Sequence, residues 1–440
     1  MGFIKIDDIT IDEFDFRYEL VELEFYIIPN QHSTAKFVLN IFSEENISKR
    51  ELCDSDRIIC IKNKEKILFA GMIHDVRQIE RAGNYDYLEI SLISLSAKGD
   101  VVKKKKSFQD VSKTMKDIIE ESLSSKGIVC EFKAEDKSIS MPLIQYDETD
   151  WEFTRRIVSR LNSVMYPNYR SSKSEIMIGM PKSQQYHKIV TENSGMAFHS
   201  NYWKRAETGV ERQRAGFIYF HVSSYENLEI GDGVEFSNFR GIVLEKEAHL
   251  IQSMILFQYK IGNQEFVNLT EYHNEAFAGR VIQGELLEVE KESVKLKFDF
   301  DETQDTQTAY AYQWTPETGN VMYLMPKKGS TINLYFKNRK EESAVAISCI
   351  RKNGETCEKD GNTNNRYLTT DYGKQMELKE DTIGFINETT NEGIQMVDGT
   401  GVVFASNNHI SIVSEKALHI MAEKFVLNTP NEMILKKVKL

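Results

Sequence analysis

From Leu378 to the C-terminus, apolar residues recur at a fixed interval of eight. The rows are LKEDTIGF, INETTNEG, IQMVDGTG, VVFASNNH, ISIVSEKA, LHIMAEKF, VLNTPNEM and ILKKVKL. Their first column is Leu378, Ile386, Ile394, Val402, Ile410, Leu418, Val426 and Ile434; the third adds Met396, Phe404, Ile412 and Ile420 in the middle rows. Positions eight apart on an α-helix are about 80° out of register, so the column is not a helical face. Coiled coils need sevens or elevens. An octad suits β-structure, each row a short strand plus a bend, with the first column pointing one way. One or two inward residues per row cannot fill a core made by a single chain. The repeat therefore predicts burial against other copies around a common axis, as an intertwined β-prism of three chains. Such an arrangement also removes open strand edges. The other structure compatible with the pattern is a meander of eight short strands packed on the preceding domain.

Upstream, period-two alternation predicts strands. Phe37, Leu39 and Ile41 alternate with Val38 and Asn40, and Leu88, Ile90 and Leu92 with Glu89 and Ser91, the pattern of a half-buried antiparallel sheet. Gly71, in KILFAGMIHDV, marks a bulge or bend. Two helices interrupt this texture. One follows Asp110, with Val111, Met115, Ile118, Ile119 and Leu123 on one face. The other begins at TDWE, where Thr149 and Glu152 have capping-box spacing ahead of the stripe Phe153, Ile157, Val158, Leu161. Strand patterns return at EIMIGM and GFIYFHV, and Gly-Asp-Gly in NLEIGDGVEF predicts a turn between β runs. From residue 275 to 354, five short strands fit a small closed barrel such as the OB-fold. Residues 355–367 read as a polar linker, and 368–440 hold the repeat.

Composition narrows the partners. The 440 residues are 41% apolar and 28% charged, with a net charge of −12. That charge argues against a nucleic-acid-binding surface, which needs a basic stripe; the short run Lys103–Lys106 reads as a solvated edge. No stretch approaches the ~18 apolar residues of a membrane span. The start, MGFIKIDDITID, has neither a signal-peptide core nor a myristoylation pattern. The five cysteines form no CxxC pair, which predicts free thiols in a reducing cytoplasm and no zinc site.

Three segments together resemble a known family. LIQYDETDWEFTRRIVSRLN is similar to the hub signature of the valine-glycine repeat (VgrG) spikes of type VI secretion and of the fused hub and spike of contractile phage tails and R-type bacteriocins. The matching positions are Gln145, Tyr146, Glu148, Thr149, Asp150, Trp151, Phe153, Arg160 and Leu161. YLMPKKGSTINLYF resembles the family's OB-barrel signature at Pro326, Gly329 and Phe336, and the octad segment resembles its triple-stranded β-helix needle. The order hub, barrel, needle also agrees over nearly the whole chain. One departure concerns the needle rows, which lack a regular glycine: Gly384, Gly393, Gly399 and Gly401 are scattered.

The resemblance implies a mainly β fold. Residues 1–274 would be a hub of two related β-barrels, roughly 1–100 and 170–270, with two short helical segments; 275–354 an OB barrel; and the rest a trimeric β-helix needle. It implies a homotrimer made in the cytoplasm and assembled into a tail-like particle, touching tail-tube and baseplate proteins and effectors, and transiently a target membrane. Two barrels per chain would give three chains a pseudo-sixfold ring able to meet a sixfold tube. A cone-shaped tip protein of the PAAR type is expected on the final row, near Val438 and Leu440; a self-capped end is the alternative there.

Chemistry is sparse. HExxH, P-loop, GxSxG and GxGxxG patterns are absent, and no pair of carboxylates sits in a recognisable cleft pattern. His409 ends its row and His419 alternates with Leu418 and Ile420, so both are expected to face solvent rather than form a metal-binding ring. The expectation is a structural protein without enzymatic activity, cofactor or metal. The competing class is a trimeric receptor-binding or depolymerising tail spike. The hub, barrel, needle order argues against it.

Overall fold

The alternation at Phe37, Leu39 and Ile41 and at Leu88, Ile90 and Leu92 produces two neighbouring antiparallel strands, Thr34–Phe42 and Tyr85–Ile93, in which Phe37 faces Ile90 and Leu39 faces Leu88. These four side chains are fully buried. The computed structural model describes residues 3–12, 14–42, 57–79, 85–181, 183, 185–206, 213–236, 238–316, 323–350, 358–434 and 436. They fall into two compact units, Met1–Arg351 and Lys352–Leu440.

In the first unit the strands Ile9–Ile11, Ile58–Asn63, Lys66–Ile79, Tyr85–Ile93, Thr34–Phe42 and Tyr18–Ile27 follow one another across a sheet. The sheet continues without a break into Phe239–Ile251, Met254–Gly262, Ile218–Ser224 and Asn193–Phe198. The two halves meet where Phe25 faces Ala248 and Ile27 faces Lys246, and they share one core. Buried Lys246 bonds Asn227 (2.6 Å) and Glu229 (3.1 Å), and burial pulls its pKa down to about 8. Gly71 lies inside the 14-residue strand Lys66–Ile79 because a Cβ there would stand 2.6 Å from the Ile93 carbonyl oxygen. Close backbone approach is its reason; the strand's register shifts fall on either side of it, between Ile67 and Phe69 and between Ile73 and Asp75.

Helices α1 (Met115–Ser124) and α2 (Asp150–Arg160) form a second core with the small sheet of Met165–Pro167, Glu175–Ile178 and Val129–Phe132. α1 starts later than the sequence predicts. Asp110 turns back onto Ser112, and Thr114 caps the helix in a box with Asp117, leaving Val111 outside and exposed. The short helix Asn201–Ala206 has too few turns to leave a periodic signal. The Gly-Asp-Gly turn is present, with Gly231 at φ +89°, but Asn227–Ile230 ahead of it forms no strand. Three of the four lysines in the basic run are answered within the chain: Lys104 pairs with Asp150, Lys105 with Asp147 and Lys106 with Glu121.

A five-stranded sheet runs Ala311–Gln313, Ser293–Phe298, Val281–Glu290, Thr331–Phe336, Ala344–Ile350. A parallel bridge between Trp314 and Ala346 joins its two ends, giving the OB-fold connectivity. Gly329, at φ +82°, turns the chain into Thr331–Phe336, whose Phe336 stacks on Phe277 at 4.8 Å.

In the second unit the strands Arg366–Thr369, Lys374–Leu378, Thr382–Asn387, Glu392–Val397 and Gly401–Ala405 form an antiparallel meander, each paired with its sequence neighbours. The first of them begins inside the segment read as a linker. Beyond Ala405, residues 406–434 contain no strand, and bends fall at 407–408, 415–416, 423 and 430–431. The eight-residue period is thus a stretch of backbone plus a bend. Cys130 and Cys349 are free thiols; Cys53 and Cys357 lie outside the described residues.

Candidate functional site: the hub–barrel junction and the needle face

The signature around TDWE builds a junction. Thr149 accepts from the Glu152 amide (3.0 Å) and Glu152 from the Thr149 amide (2.9 Å), the capping box that starts α2. Asp150, almost fully buried, receives Lys104 (2.6 Å) and Gln145 (3.0 Å), and Trp151 lies 4.0 Å from the His32 ring. One turn on, Arg156 is completely buried. Its guanidinium forks onto both oxygens of Glu148 (2.7 and 2.6 Å), bonds the Ile144 carbonyl (2.8 Å) and reaches Glu341 of the barrel (2.6 Å). Arg160 holds the other Glu341 oxygen at 2.5 Å. Burial pushes the Glu341 carboxyl upward, but the two guanidiniums outweigh it and hold the group below the usual carboxylate range.

The strand before α2, Leu143–Glu148, belongs to two cores. Ile144 and Tyr146 pack among Phe277, Leu286, Leu296, Leu334 and Phe336 of the barrel. Lys105 and Arg280 lie over the Tyr146 ring at 4.6 and 5.5 Å. Further ties run from Ser107 to Asp301 and from Gln109 to the Leu296 carbonyl (3.0 Å) and the Tyr310 amide (3.2 Å). The signature residues therefore weld the hub to the barrel; sequence reasoning flagged them but missed Arg156 and Glu341, which lie 185 residues apart. Tyr312 is buried in the barrel with its hydroxyl unpartnered.

The second unit, Lys352–Leu440, presents a different surface. Along one row Leu378, Ile383, Met396 and Val402 stand side by side, and along the next Leu368, Met376, Phe385, Ile394 and Phe404. All nine are 36–60% exposed in the single chain. This is an apolar sheet face that the described residues leave uncovered, bordered by Arg366 on the outer strand and by Lys374, Asn387 and Glu392 along one margin. Of the predicted residues it gathers Leu378, Ile394, Met396, Val402 and Phe404. Ile386 lies on the opposite face, opposite Gln375 and Gly393. The first column does not all point one way, because hairpin pairing fixes facing residue by residue. Ile383, Phe385, Met376 and Leu368 were missed, although the alternation inside each row could have found them.

Ile410, Ile412, Leu418, Ile420, Val426 and Ile434 are all more than half exposed and lie in the unpaired stretch, as do the exposed His409 and His419. Val438 and Leu440 lie outside the described residues. Among the described residues no group of three or more His, Cys, Asp or Glu side chains is placed to hold a metal ion.

No protein-family model and no curated protein matches the chain. Solved structures do. The E. coli c3393 protein, a type VI secretion component described as structurally similar to the T4 tail proteins gp27 and gp5, aligns at a TM-score of 0.60 and 11% identity, covering 78% of this chain and 99% of its own. A chain of the half-lidded Francisella PdpA–VgrG complex aligns at 0.55 and 8% identity, covering 88% of this chain and 83% of its own. The lidless PdpA–VgrG complex gives 0.53 and 7%, covering 88% and 93%. The fold is that of type VI secretion and phage tail hub–spike proteins.

Proposed function

We propose that this chain is the hub and spike of a contractile injection particle, working as a homotrimer that joins tail tube and baseplate to a puncturing tip. Two observations support this: the hub–spike fold, and an apolar needle face that one chain leaves open. The face carries the proposal. Burying nine half-exposed apolar side chains contributes on the order of 1 kcal/mol each, and monomeric soluble proteins rarely leave so large a patch bare. Three such faces around an axis would cover one another. The hub's continuous sheet in two halves is compatible with a pseudo-sixfold ring meeting a sixfold tube.

In this reading the role is mechanical. The chain delivers force or cargo to a target envelope, with effectors carried alongside and a PAAR-type tip protein seated on Val438 and Leu440. Light scattering of the full chain tests the core of the reading: three times the 50.8 kDa chain mass is expected, and a well-folded monomer would sink it. Negative-stain imaging should find one axial copy of the trimer per particle rather than several at the periphery. Deleting Val438–Leu440 should leave the trimer intact while abolishing co-purification of a tip protein and injection.

A further inference from the structure

Resting on the trimeric reading above, we infer a division of labour within the needle. The self-paired collar Arg366–Ala405 is the surface that holds the three copies together, and the stretch 406–434 becomes a shaft only on the template that the joined collars provide. The partner for the collar face is a second copy of the same collar.

The collar can form in one chain. Its strands are joined by tight turns with left-handed residues at Gly373 (φ 69°), Asn391 (φ 54°) and Gly399 (φ 72°), and every pairing is between sequence neighbours. Local pairing of this kind is fast and needs no partner. One of its faces is also already finished. The Glu377 side chain, wholly buried, accepts from Lys379 (2.8 Å), Gln375 (2.9 Å) and Gln395 (3.2 Å). Gly384 beneath it makes the room, since a Cβ there would stand 3.1 Å from the Glu377 side chain. Lys359 closes the network, bonding Gln375 and Glu388.

Among the described residues the apolar face of the collar has no cover. Its two rows hold nothing charged except Arg366 on the outer strand, so they offer no charge pattern that would select a different protein. Another copy presents the same apolar rows.

The shaft is different. Residues 406–434 carry exposed apolar side chains on a backbone that has no strand pairing and bends at intervals. Ordering such a segment costs about 1–2 kcal/mol per residue, which three separate chains must meet together. Where it leaves the collar, however, its path is fixed. The Glu392 carboxylate accepts from Ser406 (2.9 Å), the Asn407 amide (3.1 Å) and Asn408 (3.1 Å). Three joined collars would therefore start three shafts in the same register.

The test compares the full chain, the chain stopped after Asn408, and the stopped chain carrying Phe385→Asp or, separately, Phe404→Asp. Sedimentation at micromolar concentration should show trimers for the first two, with half-dissociation concentrations within about tenfold. Either aspartate should raise that concentration at least a hundredfold while the melting of the Met1–Arg351 unit stays unchanged. Phe404 lies on the last strand, so the hairpins before it stay paired if the effect is one of docking, and hydrogen exchange of Thr382–Asn387 reports this. A stopped chain that is monomeric beside a trimeric full chain overturns the inference but leaves the trimeric reading standing. A stopped chain that stays trimeric with both aspartates also overturns it, since the hub would then hold the copies. A monomeric full chain removes both readings.

Discussion

Arg156 is the side chain on which most of the junction converges. A fully buried guanidinium is tolerable only when its donors are matched, and here two carboxylates and a carbonyl match them. Glu341→Ala would leave Arg156 and Arg160 each short of a partner in a dry site, so a loss of about 3–5 kcal/mol is expected in urea denaturation. The pH dependence has a definite sign. Because the folded Glu341 pKa is lowered, its contribution is fully present above the unfolded glutamate value of about 4.3 and is lost as pH falls through the lower folded value. The gap between wild type and Glu341→Ala should therefore hold from pH 7 to about pH 5 and narrow only in stronger acid. A gap already closing at pH 6 would contradict this account.

At the scale of elements, α2 depends on its cap and the barrel depends on the hub. Thr149→Ala removes the acceptor for the Glu152 amide and the bond to Asp100 (2.5 Å), so a cost of about 1–2 kcal/mol is expected, with Thr149→Ser recovering most of it. Tyr146 sits in the barrel core although it comes from the hub strand. Calorimetry should show Met1–Arg351 unfolding in one transition. Tyr146→Ala should lower that transition as a whole, by about 3–5 kcal/mol as for other large aromatic deletions, rather than split off a barrel transition. Two wild-type transitions would show that the barrel stands alone.

At the scale of the whole molecule, the collar and the shaft should respond differently to charge. Ile410→Asp would place three carboxylates close together in a trimer, and burying them unpaired costs several kcal/mol each. Limited proteolysis should then cut 406–434 rapidly while the mass remains that of a trimer. An unchanged digestion pattern would argue that Ile410 does not lie near an axis.

The sequence by itself determined what depends on local or strictly repeated pattern. The strands at Phe37–Ile41 and Leu88–Leu92, the Thr149 cap and the eight-residue period all follow from side-chain alternation or from a residue three places on. The late start of α1 escaped because Asp110 and Thr114 both suit a cap, and only the neighbouring contacts choose between them. Tertiary structure alone decided that two β halves share one sheet and that Tyr146 completes a barrel more than 130 residues downstream. It also decided that Arg156 meets Glu341 and that Ile386 turns away from its column. Each of these is a contact between residues distant in sequence or a facing set by strand register. A period in the sequence records how often an apolar residue returns; which side it faces is fixed only when a neighbouring strand forms its hydrogen bonds.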